Sequence, residues 1–173
     1  MRDRNTNDEI LDLVDREGNI IGTARRSECH GNPALLHAVV HIHVFNHHGD
    51  LFLQKRSAAK DIQPLKWDTS IGGHIEHGET ISEALIRESL EELGLADCSF
   101  QPLYHYIHSN DIESELVHTF YIICDIIPKI NSAEIEQGKF WTIADIKSHL
   151  NSGVFTPNFE MEFSLLVKKM PFL

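Results

Sequence analysis

Three carboxylates, Glu88, Glu91 and Glu92, stand at i, i+3 and i+4 in the run Arg87-Glu88-Ser89-Leu90-Glu91-Glu92. On a helix that spacing puts all three on one face. Like charges so placed repel one another, and a helix gains nothing by holding them together. A hard divalent cation such as Mg²⁺ or Mn²⁺ reverses that balance, because it prefers carboxylate oxygen and offsets the clustered charge. The competing reading is a solvated acidic face, which is common on surface helices. Histidine is the other chemically loaded residue type, with twelve copies in an acidic chain. His41 and His43 alternate with Val40, Ile42 and Val44, and His47 and His48 fall in a turn, so these four read as packed or solvated.

The carboxylates need a helix with a defined start and stop. Thr80-Ile81-Ser82-Glu83 fits a capping box, in which the threonine hydroxyl and the Glu83 carboxylate satisfy free backbone donors. Gly94 suits the C-cap. At 100° per residue, Ile81, Leu85, Ile86, Leu90 and Leu93 fall on one broad arc and the glutamates on the other, so the arc is expected to face the core.

Ahead of the helix, Ile10 to Val14 and Ile20 to Ala24 flank Asp15-Arg16-Glu17-Gly18-Asn19, a hairpin signal. Residues 25 to 36 have no clean period and read as a connector. Ala38 to Phe45 and Leu51 to Gln54 form a second strand pair around Asn46-His47-His48-Gly49-Asp50. Ser57 to Lys66 reads as a loop, and Trp67 to Ile71 as a short strand running into Gly72-Gly73. Beyond the helix, Phe100 to His108 and Leu116 to Ile127 read as strands, and Ser132 to Lys139 as a loop. Ile143 to Leu150 and Asn158 to Lys169 read as helices. The expected fold is mixed α/β (α+β), with mostly antiparallel strands, few helices and an N-terminal β-hairpin.

Composition narrows the function. The 173 residues suit one domain spanning 1–173, and 42% apolar residues suffice for a real core. A formal charge of −11 argues against nucleic acid and against an anionic membrane surface as partners. Cys29, Cys98 and Cys124 are odd in number and form no CxxC pair, so neither a disulfide framework nor a zinc ribbon is indicated. The polar first residues lack a signal-peptide core, and no apolar run approaches membrane-spanning length, so a cytoplasmic setting is expected.

Read as a pattern, residues 73–95 run Gly73, five residues, Glu79, seven residues, Arg87-Glu88, two residues, Glu91-Glu92, one residue, Gly94-Leu95. This resembles the Nudix box. One position departs, Ser89 standing where an aliphatic residue is usual. The resemblance implies a Nudix fold, a sheet sandwiched between helices, and hydrolysis of a diphosphate linkage in a nucleoside diphosphate derivative or related small molecule. It implies that Glu88, Glu91 and Glu92, with the Gly73 carbonyl, hold Mg²⁺ or Mn²⁺, and that Glu79 and Arg87 brace the loop–helix junction. Glu91 and Glu92 are then the catalytic carboxylates. Glu134 lies where some members place another, and is otherwise a surface residue. Lys55 and Arg56 end a strand leading towards the glycines, and are either ligands for substrate phosphates or a strand-end charge pair.

A second resemblance concerns layout. His30 and His37, His74 after the glycines, and Glu113 and Glu115 resemble the metal-site residues of isopentenyl-diphosphate isomerase, a Nudix-fold relative. In that family a cysteine precedes the Gly-His pair, whereas this chain has Gly72. The isomerase chemistry needs an acid and a base on opposite faces of a carbon, and one is missing. The expectation is therefore a hydrolase on an isomerase-like scaffold, with the histidine–glutamate set either a second metal site or a group of hydrogen-bonding residues. An isomerase and a non-catalytic nucleotide-binding module are the alternatives. Tyr104 and Tyr106 are either base-stacking groups or core. The first hairpin and the terminal helix are candidate surfaces for a homodimer.

Overall fold

The computed structural model describes residues 8–59, 63–125, 129–130 and 135–170, and in them the period-two segments join into one nine-stranded mixed sheet. β1 (Ile10–Val14) and β2 (Ile20–Arg25) form the expected N-terminal hairpin. The connector holds a single helical turn, α1 (Arg26–Cys29). β3 (Leu36–Phe45) is the central strand. It pairs antiparallel with β1, β4 (Leu51–Arg56) and β6 (Ile71–His74), and parallel with β8 (Ser114–Ile123) over its whole length. β7 (Gln101–Ser109) covers the outer side of β8. The strand expected over 67–71 is instead broken into β5 (Trp67–Asp68) and β6, with Thr69 and Ser70 between them. Ser70 Oγ donates to the Phe52 carbonyl and accepts from the Val44 amide at 2.9 Å, so the break is closed by a side chain.

The loop expected over 132–139 is corrected in its second half. Residues 131–134 lie outside the described residues, and Ile135–Trp141 is a strand, β9, paired antiparallel with β4. Among the described strands it is paired with β4 alone, so its outer side is open. Exposed Glu136, Gln137 and Lys139 are tolerated there and hide the strand's alternation in the sequence.

Helices cover both faces. α2 (Ile81–Leu93) packs against Val40, Ile42, Val44 and Ile71 through Ala84, Leu85 and Leu93. α3 (Ile143–His149) and α4 (Pro157–Lys169) cover the opposite face, where Phe155, Phe159 and Phe163 join Phe45, Leu53, Trp67 and Trp141. Each such buried aromatic contributes about 1.5–3 kcal/mol.

α2 starts as expected. Glu83 donates its amide to Thr80 Oγ1 at 3.3 Å and accepts from the Thr80 amide at 2.8 Å. Gly94 closes it in the left-handed conformation at φ 64°. The inward arc, however, is rotated from the expected one. Glu88, Ser89 and Glu92 are buried alongside Ala84, Leu85 and Leu93, while Ile86 and Leu90 stand 59% and 56% exposed. The helix turns carboxylates towards the sheet and leaves two aliphatic residues in water. That orientation opposes the hydrophobic effect, and the buried carboxylates are met by Arg87 and Gln54.

Candidate functional site

β6 contributes side chains and backbone to both faces of the sheet, because successive residues point to opposite sides. Gly73 faces α2. A Cβ there would collide with the Glu88 carboxylate, so only glycine lets the helix bring that side chain against the strand. Gly72 and His74 face the other way. A Cβ on Gly72 would meet the His41 ring, and the His74 ring lies 5.1 and 5.3 Å from those of His30 and His37.

On the α2 face, Arg87 organises the acidic groups. Its Nε and Nη2 donate to the two Glu79 oxygens at 2.7 and 2.6 Å, and Nη2 also donates to the His74 carbonyl at 2.9 Å. Nη1 donates to Glu88 Oε1 at 2.5 Å and lies 3.8 Å from Glu91 Oε2. Glu79 Oε2 accepts from the Glu76 amide at 3.0 Å, which fixes the loop before the helix. That loop is tied to the first hairpin as well, since Asp12 accepts from His77 Nδ1 at 2.7 Å and from the Gly78 amide at 3.2 Å. Glu92 is buried and accepts from Gln54 Nε2 at 3.2 Å, whereas Glu91 is exposed. The result is a set of oxygen donors at the mouth of the glycine turn, two of them desolvated. Desolvated, mutually repelling carboxylate oxygens fit a hard divalent ion.

On the opposite face, one ligand atom from each of His30, His37 and His74 lies within 4.8 Å of the other two. His30 Nε2 is 3.0 Å from His74 Nε2 and 3.4 Å from Glu113 Oε2. Burial pushes His30 and His37 below the usual histidine value, so both rings are neutral near pH 7, the form that a metal would need. His37 Nε2 is buried with no hydrogen-bond partner, an orphaned atom that a metal would satisfy. Glu115 is paired with His37 across β3 and β8, and burial followed by the Glu113 charge lifts its carboxyl to about 7. Three imidazoles from the α1 end, β3 and β6 thus converge with Glu113, from the residue before β8, while Glu115 neighbours His37 in the β3–β8 register.

A family model for the NUDIX domain matches residues 35–159. This chain belongs to the Nudix family. It is 36% identical over 150 residues to isopentenyl-diphosphate Δ-isomerase 2 of Photorhabdus laumondii, covering 84% of each chain. It is 30% identical over 151 residues to a Nudix hydrolase of Deinococcus radiodurans, covering 84% of this chain and 86% of that one. The crystal structure of DR0079 from D. radiodurans superposes with a TM-score of 0.74 at 26% identity, over 86% of this chain and 92% of that one. Family membership supports pyrophosphate-bond hydrolysis as the general chemistry, with a divalent metal as the general requirement.

Other sequence expectations are placed less tightly around the Nudix box. Arg56 pairs with Asp68, Nη1 to Oδ2 at 3.3 Å, and Lys55 sits opposite Trp67 in the β4–β5 pairing. Glu134 lies outside the described residues. Ser89 is buried where an aliphatic side chain is usual, its Oγ without a hydrogen-bond partner. Tyr104 and Tyr106 are half-buried and directed at α4, with Tyr104 Oη donating to the Glu162 carbonyl at 3.3 Å.

His41 and Glu162 were invisible as a pair in the sequence. Glu162 is fully buried on α4, and both of its oxygens lie within 3.1 Å of His41 Nδ1. Oε1 also accepts from Thr119 Oγ1 at 3.2 Å and lies 3.8 Å from His43 Nε2. Burial alone would lower His41, but the Glu162 charge and hydrogen bond raise it to about 9. Glu162 is held well below the usual carboxylate range: burial opposes this, and the charge and hydrogen bond of His41, with the Thr119 hydrogen bond, outweigh it. One clue was available, a glutamate in the apolar stripe Phe159, Phe163, Leu166 at positions i+3 and i−1 of its neighbours.

Proposed function

We propose that this Nudix protein is a divalent-metal-dependent hydrolase that cleaves a diphosphate linkage in a nucleoside diphosphate derivative or related compound, by attack of water on phosphorus. The observation that carries this reading is the packing of Glu88 against Gly73 beside Arg87, with Glu92 buried and Glu91 at the surface. Glu88, Glu91, Glu92 and the Gly73 carbonyl would hold Mg²⁺ or Mn²⁺. When bound, such an ion offsets charge on a diphosphate and acidifies a water bound to it. The chain's own residues do the rest. Arg87, clamped by Glu79, keeps the glycine turn and the helix in register, so the oxygens stay grouped without substrate. Glu91 stands exposed at the surface, 3.8 Å from Arg87 Nη1, and suits a proton-accepting role, while Glu92 is buried and accepts from Gln54. Glu134 remains a further candidate base, and Lys55 and Arg56 remain candidates for the substrate phosphates.

A second reading, an isoprenoid-diphosphate isomerase, is favoured by the histidine–glutamate cluster on the α4 face and by the isomerase relative. Gly72 counts against it, because no thiol stands before His74. Cys29 is buried and its thiol is pushed up by desolvation and Glu28, and Cys98 is likewise raised by burial. Neither supplies a reactive thiolate.

The deciding experiment is a screen of purified protein against nucleoside diphosphate sugars, dinucleoside polyphosphates, nucleoside triphosphates and coenzymes, each with Mg²⁺ and Mn²⁺. Metal-dependent release of phosphate or nucleotide is expected from at least one class. Double-bond migration in isopentenyl diphosphate, with no hydrolysis across the panel, would replace this reading with the isomerase.

A further inference from the structure

The His41–Glu162 pair lies on the β6 face that the carboxylates of α2 do not use. β3 alternation puts His37, Val39, His41 and His43 on one face of the sheet, with Glu115, Val117 and Thr119 beside them on β8. His41 is four residues beyond His37, about 13 Å of strand, too far to share an ion with the histidine cluster. Between them the floor is apolar, Val39 and Val117 being buried. Tyr104 and Tyr106 of β7 stand beside this floor, and α4 closes it through Glu162 and Asn158.

Two explanations fit a histidine pinned by a buried carboxylate. In one, the pair only staples α4 to the sheet. That role uses Nδ1 and leaves Nε2 idle. Among the described residues the hydrogen bonds of the ring are made by Nδ1, none by Nε2, and the side chain is 10% exposed. In the other, Nε2 is the working atom. Gly72 lies against that atom. Its φ lies outside the left-handed region, so the backbone there suits any residue. A Cβ would sit 3.2 Å from His41 Cδ2 and 3.3 Å from Nε2, so an added methyl would crowd the edge of the ring that carries Nε2. A buried imidazolium N–H left without an acceptor is costly, which a staple alone does not explain and a ligand of Nε2 does.

We propose that His41 is a substrate-contacting residue whose Nε2–H, presented beside Gly72, donates to an oxyanion of the bound compound, a phosphate or carboxylate oxygen. Glu162 fixes the ring and keeps it a donor at both nitrogens, as the raised value of about 9 indicates. In this chain, glycine and an imidazolium take the place of the thiol that an isomerase-like layout carries. The site donates a hydrogen bond where that thiol would perform proton transfer. The inference deepens the diphosphate reading and rests on it for the phosphate option.

The test is a long-range ¹H–¹⁵N spectrum of the histidine rings in the full chain with Mg²⁺, titrated with inorganic pyrophosphate and, separately, with malonate. His41 is identified by the Glu162 hydrogen bond and by a Gly72→Ala variant, which keeps the ring. A saturable shift of the His41 Nε2 resonance is expected, while exposed His149 on α3 stays put. Crowding Nε2 with the added methyl in Gly72→Ala should weaken the response at least tenfold. A shift with pyrophosphate assigns a phosphate oxygen, and a shift with malonate alone assigns a carboxylate on the organic half. No movement with either anion, or an equal response in Gly72→Ala, overturns the proposal. Because the readout is ring contact, its failure leaves the hydrolase reading standing, and loss of the hydrolase reading leaves ring contact measurable.

Discussion

The two sides of β6 reach similar ends by opposite routes. On the α2 side, the groups come from one continuous stretch: glycine, loop, cap and helix within residues 73–95. On the α4 side, His30, His37, His74, Glu113, Glu115, His41 and Glu162 are brought together from six separate parts of the chain. The first side is local, so its geometry is set by helix periodicity and one cap. The second exists only once β3 and β8 have paired in parallel and α4 has docked. Gly73 and Gly72 stand back to back at the junction, one admitting Glu88 and the other lying against the His41 ring. The difference predicts separable losses, with chemistry failing on one side and recognition and a second ion on the other.

The largest effect belongs to the carboxylates. Glu92→Gln keeps the hydrogen bond with Gln54 within reach but removes a charge, and turnover should fall on the order of 10²–10³-fold with the fold intact. Steady-state kinetics on whichever diphosphate the screen identifies, with circular dichroism as control, is the check; retained activity would count against the α2 side as the reactive one. Next comes metal content. His37→Ala should lose about one bound equivalent of metal, with the Glu88–Glu92 equivalent retained, and Glu88→Gln the reverse. Elemental analysis of dialysed protein measures both, and identical loss in the two variants would merge the sites into one.

That asymmetry also explains what could be read from the sequence. The Nudix box, the capping box and the first hairpin rest on contacts within a few residues, and each was found where its residues predict it. β9 was not, because Glu136, Gln137 and Lys139 face water on a strand paired along one side and erase its alternation. The arc of α2 misled for a physical reason. Apolar spacing assumes that burial decides a helix's orientation, whereas here Glu88 and Glu92 are buried and Ile86 and Leu90 are not. His41 was set aside as a packed strand histidine. Its partner is 121 residues away, and no local pattern connects the two.

The adjacent glycines give a sharper contrast. Gly73→Ala drives a methyl into the buried Glu88 carboxylate, so Glu88 or the helix must move; destabilisation at the upper end of about 1–3 kcal/mol is expected, with loss of the α2-side metal. Gly72→Ala meets only a ring edge at 3.2 Å and should cost under about 1 kcal/mol. Urea unfolding midpoints of the two variants decide it, and equal costs would remove the distinction between the two glycines.

The smallest effect is the pH dependence carried by the buried pair. His41 is raised from an ordinary value near 6.5 to about 9, so its contribution to stability is complete below about pH 6.5 and is lost as pH rises through 9. Glu162 is lowered, so its contribution is present above about pH 4.5 and is lost only in strong acid. The pair therefore stabilises most between those limits. From pH 6.5 to 9.5 the loss should be on the order of 2 kcal/mol. Several other groups face this pair: His43 on β3, Glu115 and Thr119 on β8, Asp68 on β5, and Tyr104 and Tyr106 on β7. Burial holds His43 neutral and pushes both tyrosines up, so none of these three titrates in the window. Glu115, near 7, does titrate, and its deprotonation favours the His41 cation rather than opposing it. Comparison with His41→Gln isolates the term. The variant should be less stable than the parent at pH 6.5 and should lose less on going to pH 9.5. Parallel curves for the two proteins would mean that His41 is not charged beneath Gly72, and the α4 side would then offer a neutral ring to its ligand.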